Sequence, residues 1–364
     1  MTVVRVGVVG CGMIAQLMHL PYLVELAGEF AVTAVCDLDR DLAAEVAARF
    51  GVPGVYGSVA ELLDAGQVDA VLVLTQDHFA PAAAALERGV HTFTEKPLCH
   101  TLREGEALVE TAERTGAVLM VGLMKRYDSG VRQGLAAIRG LREPALARSH
   151  VVVGPHYGNW IVPELHTGIR GGATAPGPDP RRDRVIAEFG PAPAAIVDAY
   201  MDMFGVWSHD INLLRAAFPT DPHTVRATAS PDGTALTATL DHPGGLHCVF
   251  QGGSVDVPLF DEGLAVWSRE AVVELTITNP FLRNTPSTVR TRHAGPADGT
   301  TRPPLVDTTT TGSHDEAFRA QLRHFHHCVT TGSQPLTSGR EALADTRLML
   351  AILRAANDSA TGRR

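Results

Sequence analysis

The sequence predicts an α/β fold, a doubly wound parallel sheet followed by an α+β domain with a large open mixed or antiparallel sheet, on three observations. Strand-like and helical runs alternate to about residue 123, an apolar run enters a glycine turn at Gly10-Cys11-Gly12-Met13-Ile14-Ala15, and beyond residue 144 strand-like runs follow one another directly. Regular βα alternation builds parallel sheets covered by helices, whereas strands in succession with short turns build antiparallel or mixed ones.

In order, Val3 to Val9 reads as a buried strand, the turn follows, and a helix runs from about Ile14 to Leu26. Phe30 to Cys36 is a second apolar, partly β-branched strand. Leu42 to Phe50 and Glu61 to Ala65 are amphipathic helices, Ala70 to Leu74 a strand, and Pro81 to Arg88 a helix closed by Gly89. Val90 to Thr94 and Val118 to Val121 complete this part. Pro144 to Val153 reads as a strand, 154–193 as a long Gly-, Pro- and Arg-rich loop, and Val206 to Phe218 as a helix. Strands are expected over Thr224–Ala229, Ala235–Leu240, Leu246–Gln251, Ala265–Trp267 and Val272–Thr278, then a second long loop over 279–312. Two helices, about His314–Thr330 and Ser338–Asn357, close the chain. The expected division is 1–123 and 124–364, since 364 residues exceed what one core usually organises.

The opening turn has the form of a Rossmann dinucleotide site. Gly10 permits the sharp turn, Gly12 lets the backbone approach a pyrophosphate, Ala15 allows close helix–strand packing, and the helix from Met13 and Ile14 presents its amino end to the anion. Asp37 stands 25 residues beyond Gly12, at the end of the second strand, where a carboxylate accepts hydrogen bonds from an adenosine ribose. It would repel a 2′-phosphate, so NAD is favoured over NADP, and Arg40 tempers that preference.

A net charge of −9 with interspersed signs argues against nucleic acid or an anionic membrane as partner. No apolar run is long enough to span a bilayer. The first strand begins within about three residues of the amino terminus, leaving no room for a signal peptide, so a cytoplasmic protein is expected. Cys11, Cys36, Cys99, Cys248 and Cys328 show no paired spacing and read as buried or free thiols, not disulfides or zinc ligands.

In an open parallel sheet ligands bind beyond the carboxyl ends of the strands. Three segments lie there: Thr75-Gln76-Asp77-His78, Glu95-Lys96-Pro97-Leu98 and Met124-Lys125-Arg126-Tyr127. A lysine before a proline is biased to an extended backbone, and a cis bond there would place it specifically. Partly desolvated beside an oxidised nicotinamide, Lys96 would exchange a proton with a substrate hydroxyl near neutral pH.

These residues resemble the Gfo/Idh/MocA family (glucose-fructose oxidoreductase, inositol dehydrogenase and rhizopine catabolism proteins) over nearly the whole chain. The resemblance is carried by the turn Gly10–Ala15, by Ala85-Leu86-Glu87-Arg88-Gly89-Val90-His91 followed by Glu95-Lys96-Pro97-Leu98, and by Ser208-His209-Asp210-Ile211-Asn212-Leu213-Leu214. The ending, Phe318 to Val329, Gly332-x-x-Pro335-Leu336 and Ala342 to Ala355, is also similar. The resemblance implies a Rossmann domain, then a substrate-binding and oligomerisation domain whose open sheet makes homo-dimers or homo-tetramers. It implies hydride transfer between NAD(P) and a hydroxyl of a polyol, cyclitol, sugar or pseudo-sugar.

By that resemblance Lys96 and His209 are the catalytic pair, with Lys96 as acid/base and His209 as a positioning or relay group. Gly10, Gly12, Met13, Ile14, Asp37, Thr75, His78, Glu95 and Lys96 are the candidate cofactor contacts. Arg126, Tyr127, Asp202, Asp210 and Asn212 are the candidate substrate contacts, and no metal site is expected. One position departs from the pattern: family dehydrogenases commonly carry Asp four residues before the histidine, where this chain has Gly205. The carboxylate is therefore missing, relocated, or supplied by Asp198, Asp202 or Asp210. Asp202 shares the face of His209 only if the helix extends that far, and Asp210 points about 100° away. His166 is a further pocket candidate. Arg170, Arg181, Arg182 and Arg184 would either grip an anion or form a solvated or subunit-contacting loop. His324, His326 and His327 lack the second ligand cluster a metal needs. Two other functions fit the same residues: an enzyme that keeps its NAD bound and uses transient oxidation for elimination, epimerisation or glycoside cleavage, and a non-catalytic dinucleotide sensor.

Overall fold

A computed structural model describes residues 2–154, 179–296, 299 and 302–362. Two sheets organise it. The first has six strands in the order β3-β2-β1-β4-β5-β6: β1 Val4–Val9, β2 Phe30–Cys36, β3 Gly54–Tyr56, β4 Ala70–Val73, β5 His91–Glu95 and β6 Leu119–Gly122. Every pairing in it is parallel. The strand order reverses between β1 and β4, which places the crevice of a doubly wound sheet beside the glycine turn. Apolar residues run continuously through β1 and β4 because a parallel sheet is covered on both faces.

Short polar residues start the connecting helices. Asp39 accepts the amides of Asp41 and Leu42 to begin Arg40–Phe50, Ser58 caps Val59–Asp64, and Thr101 caps Leu102–Thr115. Each satisfies amides that have no partner inside the helix. The helix Leu102–Thr115 and the later Ser129–Arg139, capped by Asp128, were not anticipated from the sequence, nor was the short strand β3.

The second sheet has eight strands in the order β14-β13-β12-β11-β7-β10-β9-β8: β7 Pro144–Val153, β8 Thr224–Ala229, β9 Ala235–Asp241, β10 His247–Ser254, β11 Phe260–Ser268, β12 Ala271–Thr276, β13 Thr288–Ala294 and β14 Leu305–Thr311. Only β7 and β10 pair in parallel; the other neighbours are antiparallel. The predicted fold class, a doubly wound parallel sheet and a mixed open sheet, is the one found.

Three loop or helix expectations are corrected. The segment 279–312 is not a loop but carries β13 and β14, a hairpin whose alternating Thr, Arg and Asp residues are mostly exposed and so carry no apolar signal. Within 154–193, Pro180–Phe189 is a helix with one buried apolar residue, Val185. The helix expected at Val206 begins instead at Ala194, continues through a π turn at Met203–Trp207, and ends at Ala217. Its buried Ile196, Tyr200, Met203 and Trp207 form one apolar stripe.

The chain separates into two compact units. One comprises the described parts of 1–124, 158–188 and 318–346; the other comprises the described parts of 125–157, 189–317 and 347–364. Two segments expected in the second domain therefore cluster with the first sheet. Thr337 explains one of them: its carbonyl accepts the Val121 amide at 2.8 Å and its hydroxyl donates to the Val121 carbonyl at 2.7 Å, so it borders β6. All five cysteines are free and buried, and burial raises each thiol, Cys11 and Cys36 to about 12. No helix among the described residues is long and apolar enough to cross a membrane.

Candidate active site

In the first unit the candidate residues gather at the carboxyl ends of β1, β2, β4 and β5. Gly10 has φ +96°, and a Cβ on it would stand 2.9 Å from the carbonyl carbon of Leu74 and the amide of Thr75. A side chain there is excluded both by the left-handed backbone and by the approach of β4. Asp37 ties the turn to the end of β2: Oδ2 accepts the Cys11 amide at 2.8 Å and Oδ1 the Asp39 amide at 2.9 Å. Each carboxylate oxygen has a second acceptor direction, so hydroxyl recognition is compatible with this bracing. Gly12, Met13 and Ile14 are half-buried at the start of the helical run. A dinucleotide needs a side-chain-free turn, a helix amino end and an acid at the second strand, and these residues fit it.

Thr75 donates its hydroxyl to the Asp77 carbonyl at 2.6 Å. His78 is buried, with Nδ1 2.6 Å from the Pro97 carbonyl. A carbonyl only accepts, so Nδ1 carries the proton, and burial holds the ring below its ordinary pKa and neutral. The Lys96–Pro97 bond is cis. Lys96 is half-buried, and its amide donates to Glu95 Oε2 at 3.1 Å. Burial pushes Glu95 up, but His19 at 2.8 Å and the Lys96 charge outweigh it and leave the carboxyl below its ordinary value. Arg181 and Arg184 are not free cations here. Arg181 forks onto Asp179 at 2.6 and 2.8 Å, and Arg184 pairs with Asp77 at 2.9 Å and Glu104 at 3.4 Å. Arg184 through Asp77, and Arg181 through the Gln76 carbonyl at 3.4 Å, fasten the helix Pro180–Phe189 to the segment after β4. His166 and Arg170 lie outside the described residues.

In the second unit, a short 3-10 turn at Met124–Tyr127 carries Arg126 and Tyr127, both buried. Arg126 donates to Asn212 at 3.2 Å. Beneath them Lys125 is buried against both oxygens of Glu262 and lies 5.7 Å from the Phe260 ring centre. Asp210, 1% exposed, faces the same pair. Burial first, then the Glu262 charge, raises its carboxyl well above the ordinary range despite Lys125. Asp210 thus belongs to an interior cluster rather than to an open surface.

His209 is half-buried in the first turn of Ser208–Ala217. Asp202 accepts the Ser254 hydroxyl at 3.1 Å, and burial raises its carboxyl. The π turn at Met203–Trp207 interrupts the α-helical spacing that would stack Asp202 with His209. A Cβ at Gly205 would meet nothing within 4 Å, so no crowding requires glycine there. Among the described residues no three His, Cys, Asp or Glu side chains come together as a metal site.

Neither His19 nor Glu262 is marked by a sequence motif, and Lys125 enters only as a member of the third strand-end segment. His19 lies four residues after Ala15, on the same helix face as that packing residue. Glu262 shares the inward phase of β11 with Leu264 and Val266, and an acid within an apolar phase was the available signal.

Residues 4–123 match a family model described as an oxidoreductase family with an NAD-binding Rossmann fold, GFO_IDH_MocA. The chain is 37% identical over 168 residues to inositol 2-dehydrogenase 3 of Saccharopolyspora erythraea, 45% of this chain and 47% of that protein. It is 40% identical over 151 residues to the inositol 2-dehydrogenase/D-chiro-inositol 3-dehydrogenase of Shouchella clausii, 40% and 43% of the two chains. The chain thus spans less than half the length of these relatives. UDP-N-acetylglucosamine 3-dehydrogenase from Acidithiobacillus ferrooxidans shares the fold, with a TM-score of 0.74 over 98% of both chains at 20% identity. Residues 4–123 thus match the NAD-binding Rossmann part of the Gfo/Idh/MocA oxidoreductase family.

Proposed function

We propose that the protein is an NAD(P)-dependent oxidoreductase that interconverts a secondary hydroxyl and a ketone on a cyclitol- or sugar-like molecule. The observation that carries this is Lys96, held at the carboxyl end of β5 by Glu95 in the same unit as the Gly10 turn. A nicotinamide dinucleotide held by the Gly10 turn and Asp37 would supply the hydride acceptor in oxidation and the donor in reduction. Lys96 takes the hydroxyl proton as the carbinol hydride leaves, and returns it in the reverse direction. His209 positions or relays, and Arg126, Tyr127, Asp202 and Asn212 supply substrate hydrogen bonds. Asp210 acts from the interior.

The inositol dehydrogenase relatives favour a cyclitol. NAD is the preferred cofactor: Asp37 would repel a 2′-phosphate, and Arg40, the nearby cation, is engaged by Glu61 at 2.6 Å. The five buried thiols suit a reducing cytoplasm, and Leu146, 45% exposed on β7, suits homo-oligomerisation through the second sheet.

Following reduced nicotinamide by absorbance across cyclitols, sugars and nucleotide sugars tests the reading. Lys96→Ala should abolish turnover while NAD affinity stays within about threefold, because the turn and Asp37 are untouched. Near wild-type turnover by that variant would sink the assignment. Full substrate conversion without net NADH would replace it by transient oxidation, to which the side-chain space left at Gly205 is relevant.

A further inference from the structure

Glu95 fixes Lys96, and a residue outside every motif fixes Glu95. His19 has no solvent exposure and sits on the helical run that follows the glycine turn. Its Nε2 lies 2.8 Å from Glu95 Oε1, while the other carboxylate oxygen accepts the Lys96 amide. The imidazole is wedged edge-on between Phe93 at 5.4 Å and Phe318 at 5.6 Å between ring centres, which stops it from swinging. Gly122 leaves the space for this arrangement: a Cβ there would stand 3.0 Å from Glu95 Oε1 and 2.9 Å from the Phe93 ring.

The chemistry of the contact sets the tautomer. A carboxylate only accepts, so Nε2 carries the proton. Nδ1 is buried with no hydrogen-bond partner among the described residues. A polar ring buried among phenylalanines is costly unless its one hydrogen bond is needed.

We propose that His19 is a positioning residue for Lys96 that acts through Glu95: its Nε2–H pins the carboxylate, which orients the Lys96 backbone and keeps a fixed negative charge beside the ammonium. This rests on the reading of Lys96 as the acid/base group. The titratable groups facing Glu95 are His19, Lys96 and, more weakly, His78. Removing the imidazole leaves burial unopposed on one carboxylate oxygen, so Glu95 should take up a proton at higher pH and lose its hold on Lys96.

The test uses the whole protein labelled with carbon-13 at the glutamate Cδ, the Glu95 resonance being identified by its absence in Glu95→Gln. In the wild type Glu95 should titrate below the ordinary glutamate range. In His19→Leu it should move above that range, and His19→Gln, whose amide reaches the same oxygen, should move it back. With NAD and myo-inositol, His19→Leu should lose about tenfold or more in kcat and gain an acid-side loss of activity absent from the wild type, with NAD affinity kept. Should His19→Leu not fold, His19→Asn, too short to reach Oε1, takes its place. An unmoved Glu95 titration, or failure of Gln to restore it, overturns the coupling. A shifted Glu95 with unchanged kcat overturns the positioning role, whereas turnover by Lys96→Ala overturns the prior reading of Lys96 and leaves the Glu95 titration to stand alone.

Discussion

The strand-end cluster of the first unit and the interior cluster of the second both hold buried polar groups, and they satisfy them in opposite ways. Around the glycine turn the partners are mostly backbone: Asp37 takes the amides of Cys11 and Asp39, His78 donates to the Pro97 carbonyl, and Glu95 takes the Lys96 amide. In the second unit side chains meet side chains, Lys125 with Glu262 across 137 residues and Arg126 with Asn212 across 86. A backbone partner is present whatever the sequence, so such a site needs only the right residue at a fixed offset. A side-chain partner must be supplied by a second, distant position, and both then fail together.

The interior pair offers the largest effect. Lys125→Met leaves Glu262 buried without its cation beside a second acid, and breaking a buried ion pair from one side costs about 3–5 kcal/mol. Urea unfolding should show that loss, and Lys125→Met combined with Glu262→Leu should recover much of it, since the pair disappears together. A single-variant loss below about 1 kcal/mol would show that this cluster contributes no more than a surface pair. No comparable recovery is available to Asp37, whose partners are amides.

The same contrast explains what was legible. The offsets Gly10, Gly12, Ala15 and Asp37, and the tripeptide Glu95-Lys96-Pro97, mark one site because the parallel sheet brings consecutive strand ends together. Thr288–Ala294 and Leu305–Thr311 were invisible as strands because β14 is an edge with few buried residues, so neither alternation nor apolarity marks it. The register that brings Glu262 on β11 toward the turn holding Lys125 is set by an eight-stranded sheet, not by any local spacing. Asp210 is a sequence candidate for the carboxylate absent at Gly205, and its burial beside Lys125 and Glu262 depends on that same long-range register.

A pH experiment sharpens the first-unit side. His100, 3% exposed, is held to a pKa of about 4 by burial and by the charge of Arg181. The unfolded ring titrates near its ordinary 6.5, so between about 6.5 and 4 the unfolded state binds the extra proton and stability falls as pH falls. The loss is at most about 3 kcal/mol across that window. His100→Gln should flatten this part of the stability–pH curve and leave stability at pH 8 nearly unchanged. A curve as steep as the wild type's would assign the acid lability to His78 or His91, whose burial also lowers them.

The smallest effect belongs to Asp210, and it separates the members of the interior cluster from one another. If Asp210 is held as a neutral acid, an amide of the same shape replaces it without exposing a charge, so Asp210→Asn should cost no more than about 1 kcal/mol at pH 7. The sign of its pH dependence follows from the raised carboxyl. A group raised on folding stabilises fully below its unfolded pKa and loses that contribution as pH climbs toward its folded one, so the wild type should weaken with rising pH while the Asn variant does not. Urea midpoints followed upward from about pH 4 should therefore converge or cross in favour of the variant. A loss as large as that of Lys125→Met would mean instead that Lys125 is shared between two carboxylates, and that Asp210 is ionised and paired in the folded chain.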